Sequence, residues 1–241
     1  MRMLDLFSGI GGFALAAQWV WGDDLEIVSF CEIDLYCQRV LKKHWPMVRC
    51  HDNIKTLDGS KYEEIDIVTG GFPCQDISTA GSCNGIDGER SGLWSEMFRV
   101  VGEVRPRYAL IENSPNLVNL GLERILSDLA SIGYDAEWGC ISACSVGAYH
   151  KRKRIWIVAY PECKRLQGQG KFTPQVYPKE GAFRQADRLI DAFLEGSLPY
   201  VCGGHDGIPS YVDRPMVKAL GNAIVPQVAE VIFRAIKEID Q

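Results

Sequence analysis

Leu4-Asp5-Leu6-Phe7-Ser8-Gly9-Ile10-Gly11-Gly12-Phe13-Ala14-Leu15-Ala16-Ala17-Gln18-Trp19 opens as a short apolar strand, passes through a glycine-rich loop and continues with helix-forming composition. A strand, a glycine loop and a helix in that order form the first unit of an open α/β sheet. The glycines let a ligand approach the backbone, and the following helix offers free N–H groups at its start. Taken alone, the loop is equally well read as a tight turn. The next apolar run, Glu26 to Cys31, ends in Glu32, about twenty residues on, where an acid that hydrogen-bonds ribose hydroxyls belongs. Two features at that separation point to a nucleotide-like ligand.

Further strands deliver more chemistry to the same sheet edge. Asp34 is placed to cap a helix from Leu35 to His44, which Trp45-Pro46 stops. An edge element near Val48 to Cys50 leads to Asp52, either a turn residue or an acceptor for an adenine amino group. Ile65, Ile67 and Val68 read as a buried strand, and Gly70-Gly71-Phe72-Pro73-Cys74-Gln75-Asp76-Ile77-Ser78 then forms a rigid loop carrying one thiol. Cys74 stands where a nucleophile would, although most cysteines are simply buried apolar residues. The polar segment from Gly81 to Gly92 reads as a lid, followed by a helix from Leu93 to Val104. The strand Tyr108 to Ile111 brings Glu112 and Asn113 beside the Cys74 loop. A helix over Leu122 to Ile132 and a strand over Tyr134 to Ser142 follow. His150-Lys151-Arg152-Lys153-Arg154 then enters a buried strand, and alternation puts Arg152 and Arg154 on one side, ready to grip a phosphate or carbonyl together.

The totals fit a globular chain. The 241 residues are 46% hydrophobic and suffice for one sizeable core with a small appendage. No apolar run is read as a membrane span and no signal peptide is evident, so a cytoplasmic location is expected. The nine Cys are expected as free thiols, and no metal site is expected, since Cys31/Cys37 and Cys140/Cys144 have the wrong gaps for zinc. A net charge of -5 neither announces nor excludes a nucleic-acid partner, because the local basic run at 150 to 154 supplies a contact face. From 161 to 215 periodicity is lost, apart from a short helix expected around Arg184 to Phe193. Helices resume over Met216 to Leu220 and Val225 to Ile239.

The order of these motifs resembles the cytosine-C5 DNA methyltransferase family over nearly all of the chain. Asp5 to Phe13 is similar to its first motif, Gly71-Phe72-Pro73-Cys74-Gln75 to its nucleophile loop and Glu112-Asn113 to its acid motif. Arg152-x-Arg154 is similar to its paired arginines, and Ala219-Leu220-Gly221-Asn222-Ala223-Ile224-Val225-Pro226-Gln227 to its last motif. Ser114 and His150 depart from the family's usual residues, and the compact form resembles phage or prophage members.

The resemblance implies a Rossmann-like S-adenosylmethionine-dependent methyltransferase sheet with helices on both faces. The implied division is a catalytic domain over 1–160, a small target-recognition lobe over 161–215 and a helical segment, 216–241, returning to complete the cofactor pocket. It implies transfer of a methyl group from S-adenosyl-L-methionine to C5 of a flipped-out cytosine in double-stranded DNA, through a covalent Cys74 adduct. Cys74, Glu112, Arg152 and Arg154 are its implied catalytic set, with Pro73, Gln75 and Ser78 in the substrate loop. Phe7, Gly9, Gly11, Glu32, Asp52, Leu93 and Asn222 are the implied cofactor set. A monomer is expected, with a cognate restriction endonuclease as a possible partner. The alternatives are an RNA cytosine-C5 methyltransferase, a catalytically silent DNA-binding relative, and a nicotinamide-dependent oxidoreductase, which would leave the Cys74 loop unexplained.

Overall fold

The computed structural model describes residues 1–73, 93–148, 151–161 and 214–240. Cys74, Gln75, Ser78, the expected lid, His150, the helix expected at Arg184 to Phe193 and nearly all of the expected recognition lobe lie outside the described residues.

Seven strands form one mixed sheet: β1 (Arg2–Leu6), β2 (Glu26–Cys31), β3 (Arg49–His51), β4 (Ile67–Gly70), β5 (Tyr108–Asn113), β6 (Tyr134–Ser142) and β7 (Lys153–Pro161). Their order is β3-β2-β1-β4-β5-β7-β6. The first five run parallel, while β7 is inserted antiparallel between β5 and β6. The order reverses at β1, so the loops after β1 and β4 diverge over a crevice at the carboxyl edge, where open α/β sheets bind ligands.

The helices are α1 (Gly12–Trp21), α2 (Leu35–His44), α3 (Leu93–Val104), α4 (Leu117–Leu120), α5 (Leu122–Ser131), α6 (Arg214–Asn222) and α7 (Pro226–Ile239). Alternation along the strands builds two cores. Leu4, Leu6, Val68, Ala109 and Ile111 pack with Met97 and Val101 of α3 and Ile125 and Leu129 of α5. Met3, Ile67, Leu110, Trp156 and Val158 pack with α1 and with Val228, Ile232, Phe233 and Ile236 of α7. The stretch Lys218–Ile239 has the length and hydropathy of a membrane span, but it is broken at 223–225 and the apolar face of α7 is buried in this second core.

The local signals act as read. Asp34 caps α2, its Oδ1 accepting from the N–H groups of Tyr36 and Cys37 at 2.9 and 3.4 Å. Gly11 starts α1 at φ +87°, and a Cβ there would lie 2.4 Å from the Trp45 ring. Only glycine allows both that φ and that approach.

Candidate active site

β5 runs two residues further than its apolar core, to Glu112 and Asn113, and these two side chains organise the crevice beside β4. Glu112 shares its sheet face with Leu110 and is only 8% exposed. Its carboxylate passes directly over Gly71, where a Cβ would sit 2.8 Å from Oε2. The register pairs Glu112 with Trp156, and Arg154, two residues earlier on β7, reaches diagonally so that its Nε lies 3.1 Å from Glu112 Oε1. Burial pushes the Glu112 carboxyl up to about 7, against the opposing pull of Arg154 and, at longer range, Arg152. An acid so tuned both holds and releases a proton near neutral pH.

Asn113, 2% exposed, donates from Nδ2 to the carbonyl of Phe72 at 3.0 Å, while its Oδ1 accepts from the Ser114 N–H at 2.7 Å. It clamps the backbone two residues before Cys74. Phe72 is itself buried against the Trp94 ring, and Pro73 follows half-buried. The loop therefore leaves the sheet from a fixed root. Neither Gly71 as a cradle nor Asn113 as a clamp was singled out from the sequence. The available signal was their direct adjacency to the loop and to Glu112.

Arg152 has a different set of contacts from Arg154. It precedes β7 at φ +22°, and its Nη2 donates to the carbonyls of Gly221 and Ala223 at 2.8 and 2.5 Å. Burial lowers its pKa, and the neighbouring Arg154 charge adds to the effect. Of the two guanidinium groups only Arg154 touches Glu112.

The expected cofactor residues are spread over the segments that follow β1, β2 and β3 and over α3 and α6. Phe7 directly follows β1 at φ +51°, a strained conformation for a bulky residue, and Ser8 locks the turn by donating to the Asp5 carbonyl at 2.7 Å. Gly9 has φ +54°, and a Cβ built on it would meet nothing within 4 Å, so open space lies over the loop. Glu32 ties the two loops together, its Oε2 accepting from the Gly9 N–H and Oε1 from the Asp34 N–H, each at 2.7 Å. Asp52 is exposed just past β3, Leu93 begins α3 half-buried, and Asn222 is exposed at the end of α6. The α6–α7 turn reaches the glycine loop, since Ile224 lies where a Cβ on Gly12 would stand, 2.6 Å away.

The cysteines in the described residues are free. Burial pushes the Cys31 and Cys37 thiols up to about 12 and raises Cys50, so these three are held protonated and are poor nucleophiles.

Comparison with known proteins places the fold and the family. The S. pombe Dnmt2 methyltransferase superposes with a TM-score of 0.70 over 99% of this chain and 98% of that one at 18% identity, a likeness of fold. In sequence, the type II methyltransferase M2.BsuMI of Bacillus subtilis is 36% identical over 167 residues, covering 66% of this chain and 42% of that protein. The type II methyltransferase M.CviJI of Paramecium bursaria Chlorella virus IL3A is 31% identical over 160 residues, with the same coverage. The chain thus spans less than half the length of these relatives. A family model described as C-5 cytosine-specific DNA methylase matches residues 1–195, most of the 241, and the chain belongs to that family.

Proposed function

We propose that the protein is a DNA (cytosine-5-)-methyltransferase that acts on a cytosine turned out of duplex DNA. The observation that carries the reading is Glu112, buried, tuned to about 7, paired with Arg154 and lying over the root of the Cys74 loop. Cytosine C5 is too weak a nucleophile to take up a methyl group unaided, so the ring is first activated by covalent addition. Cys74, as thiolate, adds to C6 while Glu112 donates a hydrogen bond or a proton to N3, and electron density collects at C5. Arg154 keeps the carboxyl in place. Once C5 carries the methyl group, loss of the C5 proton to water and elimination of the Cys74 sulfur release the thiolate, and a proton given to N3 returns to Glu112. Extrusion of the base costs a few kcal/mol of stacking, which contacts to the DNA backbone must offset.

S-adenosyl-L-methionine, when bound, supplies the electrophilic methyl group. The crevice suits it: open space over Gly9 leaves room for a ligand at the backbone, and Glu32 and Asp52 give the pocket the sign that a sulfonium and an ammonium group require. Glu32 would hold the ribose, Asp52 the adenine amino group and Phe7 the ring face, with Gly11, Leu93 and Asn222 closing the sides. Residues 161–215 serve as the target-recognition lobe.

Duplex DNA containing 5-fluorocytosine at the target is expected to trap a covalent protein–DNA adduct in the presence of the cofactor, because fluorine cannot leave as a proton. A Cys74→Ala protein that still forms the adduct would overturn the assignment. Radiolabel transfer to RNA in place of DNA would favour the RNA alternative.

A further inference from the structure

We propose that Arg152 is a positioning residue of the cofactor side: it fastens the Gly221–Ala223 turn to the start of β7 and so presents Asn222 to the S-adenosylmethionine pocket. The proposal rests on the methyltransferase function above, and it divides the paired arginines, Arg154 serving the cytosine through Glu112 and Arg152 serving the methyl donor through Asn222.

Gly221 and Ala223 flank Asn222 at the C-terminal end of α6, where helix carbonyls have no partner within the helix. One Nη2 with two N–H groups spans both, which fixes the peptide plane that enters Asn222 and the one that leaves Ala223 at once. Among the described residues, the other contacts of this region do not hold these two carbonyls. Ile224 packs against Gly12, one residue past the carbonyls, and Lys218 reaches Asp34 Oδ2 at 2.9 Å on the exposed side of α6. Arg152 is also held apart from an ordinary surface arginine. Its φ is +22°, its Nε is buried with no hydrogen-bond partner among the described residues, and it lines a cavity of roughly 830 Å³ together with Gly11, Gly12, Trp45 and Ala223. A strained backbone and an unsatisfied donor are retained where surrounding contacts over-determine them. Lysine would not substitute fully, because a flexible point charge lacks the planar geometry that meets two carbonyls together.

The test is calorimetric titration of S-adenosylmethionine into the protein without DNA, for wild type, Arg152→Ala, Asn222→Ala, the double variant and Arg154→Ala. Arg152→Ala is expected to weaken binding about tenfold or more, as loss of charge-assisted contacts that order a binding turn should. The double variant should bind no more weakly than Asn222→Ala alone, within about twofold, because the two residues act in series. Arg154→Ala should leave the titration unchanged. In methyl transfer, Arg152→Ala should raise KM for the donor with kcat nearly kept, and Arg154→Ala the reverse. Arg152→Ala binding within twofold of wild type, or effects that multiply in the double variant, would overturn the proposal. Should Arg152→Ala not fold, Arg152→Lys takes its place in the same cycle with the same two criteria. Failure of the wild type to methylate DNA would sink the proposed function while the binding cycle still decided the role of Arg152.

Discussion

At the scale of single residues the protein carries two buried acids on one face of the sheet. Asp5, next to last in β1, is fully buried, with Oδ1 accepting from Thr69 Oγ1 at 2.6 Å and Oδ2 without a hydrogen-bond partner among the described residues. Burial raises it from an ordinary 3.8 to about 7, and raises Glu112 from 4.5 to about 7. Each folded carboxyl therefore keeps a proton that the unfolded chain releases. The stability this contributes is whole below pH 4 and is lost as pH rises through about 7. Between those limits each acid steepens the fall of the unfolding free energy by up to about 1.4 kcal/mol per pH unit. Urea titrations from pH 4.5 to 6.5 should show that fall in wild type and a shallower one in Asp5→Asn; equal slopes would exclude Asp5 as a source. Glu112 has a chemical role as well. Glu112→Gln should lower kcat by about a hundredfold or more, and the wild-type rate should lose its proton-donating component as pH passes 7. A Glu112→Gln enzyme with the wild-type pH profile would show that another group supplies the proton.

At the scale of elements, two glycines that look alike in the sequence separate by what surrounds them. A Cβ on Gly71 would be crowded by the far end of the Glu112 side chain at 2.8 Å and otherwise make ordinary contacts, whereas one on Gly11 meets the packed Trp45 ring at 2.4 Å from a backbone already at φ +87°. Gly71→Ala should stay folded with Tm nearly unchanged yet lose activity on the order of a hundredfold, because it pushes the carboxyl off its position. Gly11→Ala should instead cost about 1–3 kcal/mol of stability, read as a lower urea midpoint. Equal loss of stability in both would contradict this division. The elements themselves were largely legible, because hydrophobic alternation, the Asp34 cap and the Pro46 stop are local signals that act within a few residues. The carboxyl edge was legible for the same reason: Glu32, Asp52 and Glu112 each follow an apolar run. The direction of β7 was not, since a strand buried on both faces reads the same parallel or antiparallel. Nor was the separation of Arg152 from Arg154. Alternation applies inside a strand, and Arg152 stands one residue before β7 with a positive φ that no residue preference announces.

At the scale of the whole molecule, the last described helix shares its core with the first helix. Phe233 of α7 is fully buried and its ring lies 5.1 Å from that of Trp21 in α1. Just past α7, Asp240 accepts from Arg107 at 2.5 Å and from the Tyr108 hydroxyl at 2.9 Å, at the amino end of β5. The core beneath joins Met3 of β1, Ile67 of β4, Leu110 of β5 and Val158 of β7 to that helix, so the apolar face of α7 is buried only while the sheet and α1 are in place, and α7 shares with α1 the cover of one sheet face. Helix and sheet should therefore unfold together. Phe233→Ala removes a ring from this shared layer and should destabilise the fold by about 3–5 kcal/mol, with tryptophan fluorescence and far-ultraviolet dichroism shifting in one coincident transition. Because α7 follows directly on the turn that Arg152 holds, the same variant should weaken donor binding near its own Tm but not well below it. An early, separate transition in which helix is lost while the Trp21 and Trp156 environments keep the wild-type midpoint would mean that α7 docks as an independent appendage, and the cofactor side of the crevice would then be assembled from two units instead of one.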